Sequence, residues 1–139
     1  MLYLAYGSNL NKIQMSYRCP KATALDSYIL RGYILEFRRV ANIKKTLNLK
    51  DKIACGIWKI TKSCERALDI YEGYPTLYGK KIMKLDDGRE VMTYFMNSGI
   101  INPPSKEYLK IIEEGYKHFE LPKELLFKNK LRSFDYGNV

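Results

Sequence analysis

The chain has 139 residues, 46% of them hydrophobic and 28% charged, which suits one soluble globular domain and leaves no room for two comfortable ones. Its net charge of +9 invites nucleic acid or an anionic surface. The cations are scattered, however, with the densest run at Lys44-Lys45 through Lys52, and no helix-turn-helix, zinc or RNP pattern accompanies them, so a nucleic-acid partner is not expected.

In chain order, Leu2-Tyr3-Leu4-Ala5-Tyr6-Gly7-Ser8-Asn9 opens as an uncharged apolar run. It predicts a buried strand that gives way at Gly7 to a turn of short polar residues, where backbone amides can face a ligand. The plainer alternative is a buried edge strand closing in an ordinary turn. Met1 leads straight into this run without a basic or cleavage signature, and no apolar run approaches membrane-span length, so a cytoplasmic protein away from the membrane is expected. Leu10 to Pro20 predicts a short helix or turn capped by Asn9 or Asn11 and stopped by Pro20. Ala24–Leu30 and Tyr33–Val40 predict two strands, a pair suited to a hairpin through Arg31-Gly32. Ala41–Lys52 reads as a polar loop with room for a short strand at Thr46–Leu49, and Ile53–Ile60 as a central strand buried on both faces.

Thr61 is placed to cap a helix running to about Glu72, with Cys64, Leu68 and Tyr71 on its inner face and Gly73 and Pro75 ending it. Tyr78–Leu85 and Glu90–Met96 predict a hairpin around Asp86-Asp87-Gly88. Asn97–Pro104 is a loop. Ser105 caps a helix to about Glu120 with the stripe Leu109, Ile112, Tyr116 and Phe119, and Pro122 begins a last helix to about Arg132. The whole reads as a single domain over 1–139, with 133–139 a C-terminal tail. Strands and helices mix without regular βαβ alternation, which predicts an α+β domain whose sheet curls around a core.

The familiar catalytic signatures are absent: no GxSxG, P-loop or dinucleotide fingerprint occurs. Cys19, Cys55 and Cys64 form no CxxC or CxxH pair and read as reduced thiols with no metal site. His118, the single histidine, sits on a helix flank where a surface residue is the plainer reading than a base. Two features stand out. The chain carries 12 tyrosines, suiting either a half-buried β surface or a pocket lined by phenols. Glu72 falls in the last turn of its helix, where the dipole disfavours a carboxylate, so it is either a solvated helix-end acid or a group with a purpose.

Tyr3-Leu-Ala-Tyr-Gly-Ser-Asn9, Arg18-Cys19-Pro20, Gly32-Tyr33 with Phe37, Gly56-Ile57-Trp58, Leu68-Asp-x-Tyr-Glu-Gly-Tyr-Pro75, Tyr78, Pro104-Ser105-x-x-Tyr108 and Leu121-Pro122 occur in this order. Together they resemble the gamma-glutamylcyclotransferase family, including its AIG2-like branch, over roughly residues 2 to 131. The resemblance implies a small mixed β-barrel with surrounding helices and a cavity at one end. It also implies an enzyme that releases 5-oxoproline from a γ-glutamyl amide or amine, with no cofactor. In the family's pattern Glu72 stands at the acid/base position. Tyr6, Gly7, Ser8 and Asn9 form the loop whose amides hold the γ-glutamyl group, Tyr108 contacts substrate, and Tyr78 and Tyr94 shape the pocket. The partner so implied is a small γ-glutamyl molecule, and the protein is expected as a monomer or small homo-oligomer. The rival reading is a non-catalytic basic protein of the same fold that binds an anionic ligand or nucleic acid.

Overall fold

A computed structural model of the protein describes residues 1–128. Strands and helices alternate irregularly: β1 (Leu2–Ala5), α1 (Lys12–Arg18), β2 (Thr23–Arg31), β3 (Tyr33–Arg38), β4 (Val40–Lys45), β5 (Lys52–Lys59), α2 (Lys62–Glu72), β6 (Tyr78–Lys84), β7 (Glu90–Met96) and α3 (Lys106–His118). A 3-10 turn at Ser8–Leu10 links β1 to α1. Residues 123–128 are helical. The rest of the helix expected to reach Arg132, and the tail expected at Ser133–Val139, lie outside the described residues.

The main sheet has the order β2-β5-β1-β7-β6. Strand β1 is its middle, antiparallel to β5 and parallel to β7, which is why Tyr3, Leu4 and Ala5 are all buried and no polar alternation is visible there. β5 is likewise interior, buried from Ile53 to Trp58. β6 and β7 form the expected hairpin, with Lys84 opposite Glu90. Beyond it, Arg89 reaches Asp26 of β2 through two bonds of 2.9 and 3.0 Å, and the Asp86 amide donates to the Tyr28 hydroxyl of β2. The β6–β7 turn therefore reaches the opposite edge strand, β2, and the sheet curls as an α+β barrel-like layer. Among the described residues no backbone ladder closes the barrel.

Two sequence expectations are overturned here. The strands at 24–30 and 33–40 do not pair with each other: β2 pairs with β5 from Thr23↔Lys59 to Arg31↔Lys52, and β3 pairs with β4. Gly32 marks a change of sheet, its amide bonding Asp51 and its carbonyl accepting from Thr46, and the chain does not reverse there. The reversal comes at Arg39, a non-glycine residue with φ of 69°, which carries none of the usual turn chemistry. The segment expected as a polar loop accordingly opens with strand β4. Its polarity misleads because Asn42 is buried and spends its Oδ1 on the Met96 amide (2.8 Å), tying β4 to the end of β7. Residues 46–51 carry no strand.

The helices follow their caps. Asn11, Thr61 and Ser105 accept from the first amides of α1, α2 and α3, and Gly73 ends α2 in the left-handed region at φ 67°, where a Cβ is costly. Cys64 and Leu68 face the core, but Tyr71 is 44% exposed and does not belong to the inner face expected for it. The helix ends between α1 and the sheet: Tyr71 turns to Arg18 of α1, while Asp69 meets Tyr94 of β7 and Lys80 of β6.

Asn11 does most to place the turn after β1. Only 1% exposed, it accepts from Ile13 and Gln14 through Oδ1 and donates through Nδ2 to the Ile111 carbonyl (3.0 Å) and Glu114 (3.1 Å) of α3. Asn11→Ala removes a cap and leaves buried groups unpaired, so urea unfolding should show a loss of about 2–3 kcal/mol. Asn11→Asp, which keeps the acceptor but loses the donor, should recover little. A loss under about 1 kcal/mol for Asn11→Ala would show that α3 is held elsewhere.

Candidate active site

The turn after β1, the start of β4, the end of α2, the start of β6 and the first turn of α3 surround one cavity of about 120 Å³. Its walls include all eight residues anticipated at the site, namely Tyr6, Gly7, Ser8, Asn9, Glu72, Tyr78, Tyr94 and Tyr108, together with Tyr3, Tyr71, Val40, Ala41 and Leu77.

Ala41 organises the two outer tyrosines. Its amide donates to the Tyr108 hydroxyl (3.0 Å), and its carbonyl accepts from the Tyr78 hydroxyl (2.7 Å). Tyr108 thus keeps its own O–H proton for other use, whereas Tyr78 has spent it. Gly7 passes beside the same residue: a Cβ on Gly7 would lie 3.0 Å from Ala41 Cβ and 3.4 Å from the Tyr108 oxygen. Any side chain there would press on the wall that holds both phenols. Tyr6 donates to the Tyr94 carbonyl (2.9 Å), and Tyr94 donates to Asp69 (2.6 Å), which also meets Lys80. Their rings form the wall while their hydroxyls are committed to structure. Ser8 Oγ lies 3.3 Å from the Tyr71 hydroxyl.

Asn9 is the centre of the site in a way that its place in a turn did not announce. It is 3% exposed, and every polar atom of its side chain is engaged. Nδ2 donates to the Tyr3 hydroxyl (2.8 Å) and to Glu72 Oε1 (3.2 Å), while Oδ1 accepts from Arg18 Nη1. Its carbonyl accepts from Trp58 Nε1 (3.0 Å). Tyr3 and Arg18 were absent from the anticipated site. Arg18 stood only in a motif string, and nothing in the sequence tells that its guanidinium returns to the turn nine residues earlier.

Glu72 is half-buried, and burial lifts its carboxyl to about 7 from an ordinary 4.5. The Arg18 charge and the Asn9 bond pull the other way, while its place in the last turn of α2 adds to the rise. The surrounding phenols of Tyr3, Tyr6, Tyr78, Tyr94 and Tyr108 are all pushed up, burial being the first cause in each. They are neutral hydrogen-bonding groups at physiological pH. The wall therefore pairs a carboxyl poised between its two forms with a ring of neutral hydroxyls. This arrangement can move one proton and hold an oxygen.

The other candidates take structural places. His118 is partly buried and its Nδ1 accepts from the Lys12 amide (3.0 Å) at the start of α1. Cys19, Cys55 and Cys64 are buried and unbridged.

The sequence matches the family described as Gamma-glutamyl cyclotransferase, AIG2-like, over residues 3–117. It is 30% identical to a human protein named Gamma-glutamylcyclotransferase, over 96% of this chain and 78% of that protein. A bovine protein of the same name is 29% identical with the same coverage. A solved structure described as Gamma-glutamyl cyclotransferase superposes with a TM-score of 0.81 at 30% identity, covering 94% of this chain and 86% of the other. Sequence and fold agree, and the chain belongs to the gamma-glutamyl cyclotransferase, AIG2-like family.

Proposed function

We propose that the protein releases 5-oxoproline from a small γ-glutamyl compound, with Glu72 as general acid and base. The observation that carries this reading is the Glu72 carboxyl, lifted to about 7 in a cavity otherwise lined by neutral groups. In such a substrate the α-amine attacks its own γ-carbonyl carbon, so proximity is largely built into the substrate. The new C–N bond closes the five-membered ring and the bond to the leaving amine breaks. The α-amine must lose a proton and the leaving amine must gain one, and a single carboxyl near neutrality can relay it. The Tyr108 hydroxyl and the amides of the Tyr6–Asn9 turn are the candidate donors to the substrate's oxygens.

The α-amine is the nucleophile, so an N-acetylated γ-glutamyl compound should bind at best and never turn over. The lining offers apolar Val40 and Leu77 beside Tyr71, whose ring lies under the Arg18 guanidinium. Neutral or acidic leaving groups should therefore outrank γ-glutamyl-lysine. A panel of γ-glutamyl compounds read out as 5-oxoproline by mass spectrometry tests both points. Turnover of the N-blocked compound overturns the mechanism, and preference for the lysine conjugate overturns the ranking.

The pH profile follows from the same relay. Glu72 must be ionised to take the proton, so kcat/KM should rise with pH through a midpoint near the Glu72 value of about 7. It should fall again as the substrate amine loses its proton in solution. A profile flat from pH 5 to pH 8 would remove Glu72 from the relay.

A further inference from the structure

Arg18 closes α1 and turns back over the site, and it is held at three points. Nη1 donates to Asn9 Oδ1, and Nη2 donates to Gln14 Oε1 (2.9 Å), one helical turn earlier. The guanidinium carbon lies 3.6 Å from the centroid of the Tyr71 ring, on the residue next to Glu72. An arginine has donors and no acceptor, so the Asn9 atom facing it must be the oxygen. The amide nitrogen is thereby turned towards Tyr3 and Glu72, where it makes its 2.8 and 3.2 Å bonds. Were the amide reversed, its oxygen would face the Glu72 carboxylate and its NH2 would face a cation, with both contacts repulsive.

The groups around Glu72 come from every element packed on it. They are the phenols of Tyr3 and Tyr6 from the first strand and its turn, Tyr78 from β6, Tyr94 from β7 and Tyr108 from α3. Asn9 and Arg18 complete them. The phenols are neutral, so the positive charge that balances an ionised Glu72 comes from Arg18.

We propose that Arg18 is a positioning residue: it locks the Asn9 amide in the one orientation that donates to Glu72 and supplies the charge against which Glu72 ionises. The consequence for turnover rests on Glu72 being the acid and base of the proposed reaction. The consequence for Glu72 itself does not.

The two are separated by following the Glu72 carboxyl directly, by NMR titration of the protein carrying 13C-labelled glutamate, with the resonance assigned by its absence in Glu72→Gln. The variants are Arg18→Met, Arg18→Gln and Arg18→Lys, and kcat/KM is recorded against pH for the same set. With the charge removed in Arg18→Met, both the NMR midpoint and the lower limb of kcat/KM should move up by about one pH unit. Activity at neutral pH should fall about five- to tenfold below that of Arg18→Lys, and only this additional loss should recover as pH rises. Arg18→Gln keeps an amide donor for Asn9 without the charge, and should shift the midpoint likewise should Arg18→Met fail to fold. Arg18→Lys keeps the charge but cannot span Asn9 and Gln14 or lie flat on Tyr71. Its midpoint should stay near that of the wild type while kcat falls at every pH.

Neutral variants that melt at lower temperature but titrate like the wild type would overturn the proposal and leave Arg18 a helix-end brace. Wild-type kcat in Arg18→Lys would overturn the locking of Asn9. Should the wild-type protein turn over no γ-glutamyl compound, the proposed reaction fails, and the NMR midpoints still decide the role of Arg18.

Discussion

Glu72→Gln is expected to lower kcat for 5-oxoproline release by about 10³-fold, and to make the folded protein more stable above neutral pH. The two effects have one cause. Gln keeps the size of the side chain and an oxygen for the Asn9 bond, but it cannot relay a proton. It also cannot ionise. In the folded chain the Glu72 carboxyl holds its proton up to about 7, whereas in the unfolded chain it releases it near 4.5. Between these values the folded state binds the extra proton, so the wild type loses stability as pH rises from 4.5 to about 7 and does not regain it above. The substitution removes that penalty. Glu72→Gln should therefore match the wild type at the acid end and exceed it by about 1–3 kcal/mol well above neutrality. Thermal or urea unfolding at two pH values, beside an assay of turnover, checks both halves. Turnover within a few-fold of the wild type would sink the catalytic assignment. A variant less stable at both pH values would make Glu72 a structural acid, whatever its turnover.

Such a trade between stability and chemistry is the physical content of the helix-end mismatch visible at Glu72 in the sequence. The elements legible from the chain were those with local causes. The α2 helix has Thr61 as a side-chain cap and Gly73 as a left-handed stop, and the β6–β7 hairpin has its Asp86-Asp87-Gly88 turn within a few residues of the strands it joins. What was not legible depends on partners far along the chain. Strand β2 finds β5 across the intervening β3–β4 pair, and loop-closure entropy gives no local sign of such a choice. Strand β4 is hidden because buried Asn42 imitates a loop residue. The site shows the same division. The motif residues converge on one cavity, yet the bond from Asn9 to Glu72 joins residues 63 apart in sequence. The pairing of Tyr78 with Tyr108 runs through the backbone of Ala41, a residue with no side-chain chemistry to betray it.

Gly115→Ala is expected to destabilise the protein by about 2–4 kcal/mol, although in an ordinary helix the same change stabilises by about 0.5–1 kcal/mol. The reversal of sign tests how α3 seats the active-site turn. A Cβ on Gly115 would lie 2.6 Å from Leu10 Cβ, 2.7 Å from the Leu10 carbonyl carbon and 2.8 Å from the Asn11 nitrogen. Two of these are backbone atoms, and Asn11 is pinned to α3 through Ile111 and Glu114, so the turn cannot step aside without breaking those bonds. The melting temperature should drop by about 10 °C. Because the displaced segment carries Asn9, kcat/KM should fall by about tenfold or more even where the variant is fully folded. Trimming Leu10 to Ala in the same chain should not rescue either property, since the backbone atoms remain in the way. A Gly115→Ala protein as stable as the wild type, or a double variant that recovers it, would mean that α3 meets only the Leu10 side chain and that the turn is held by β1 and α1 alone.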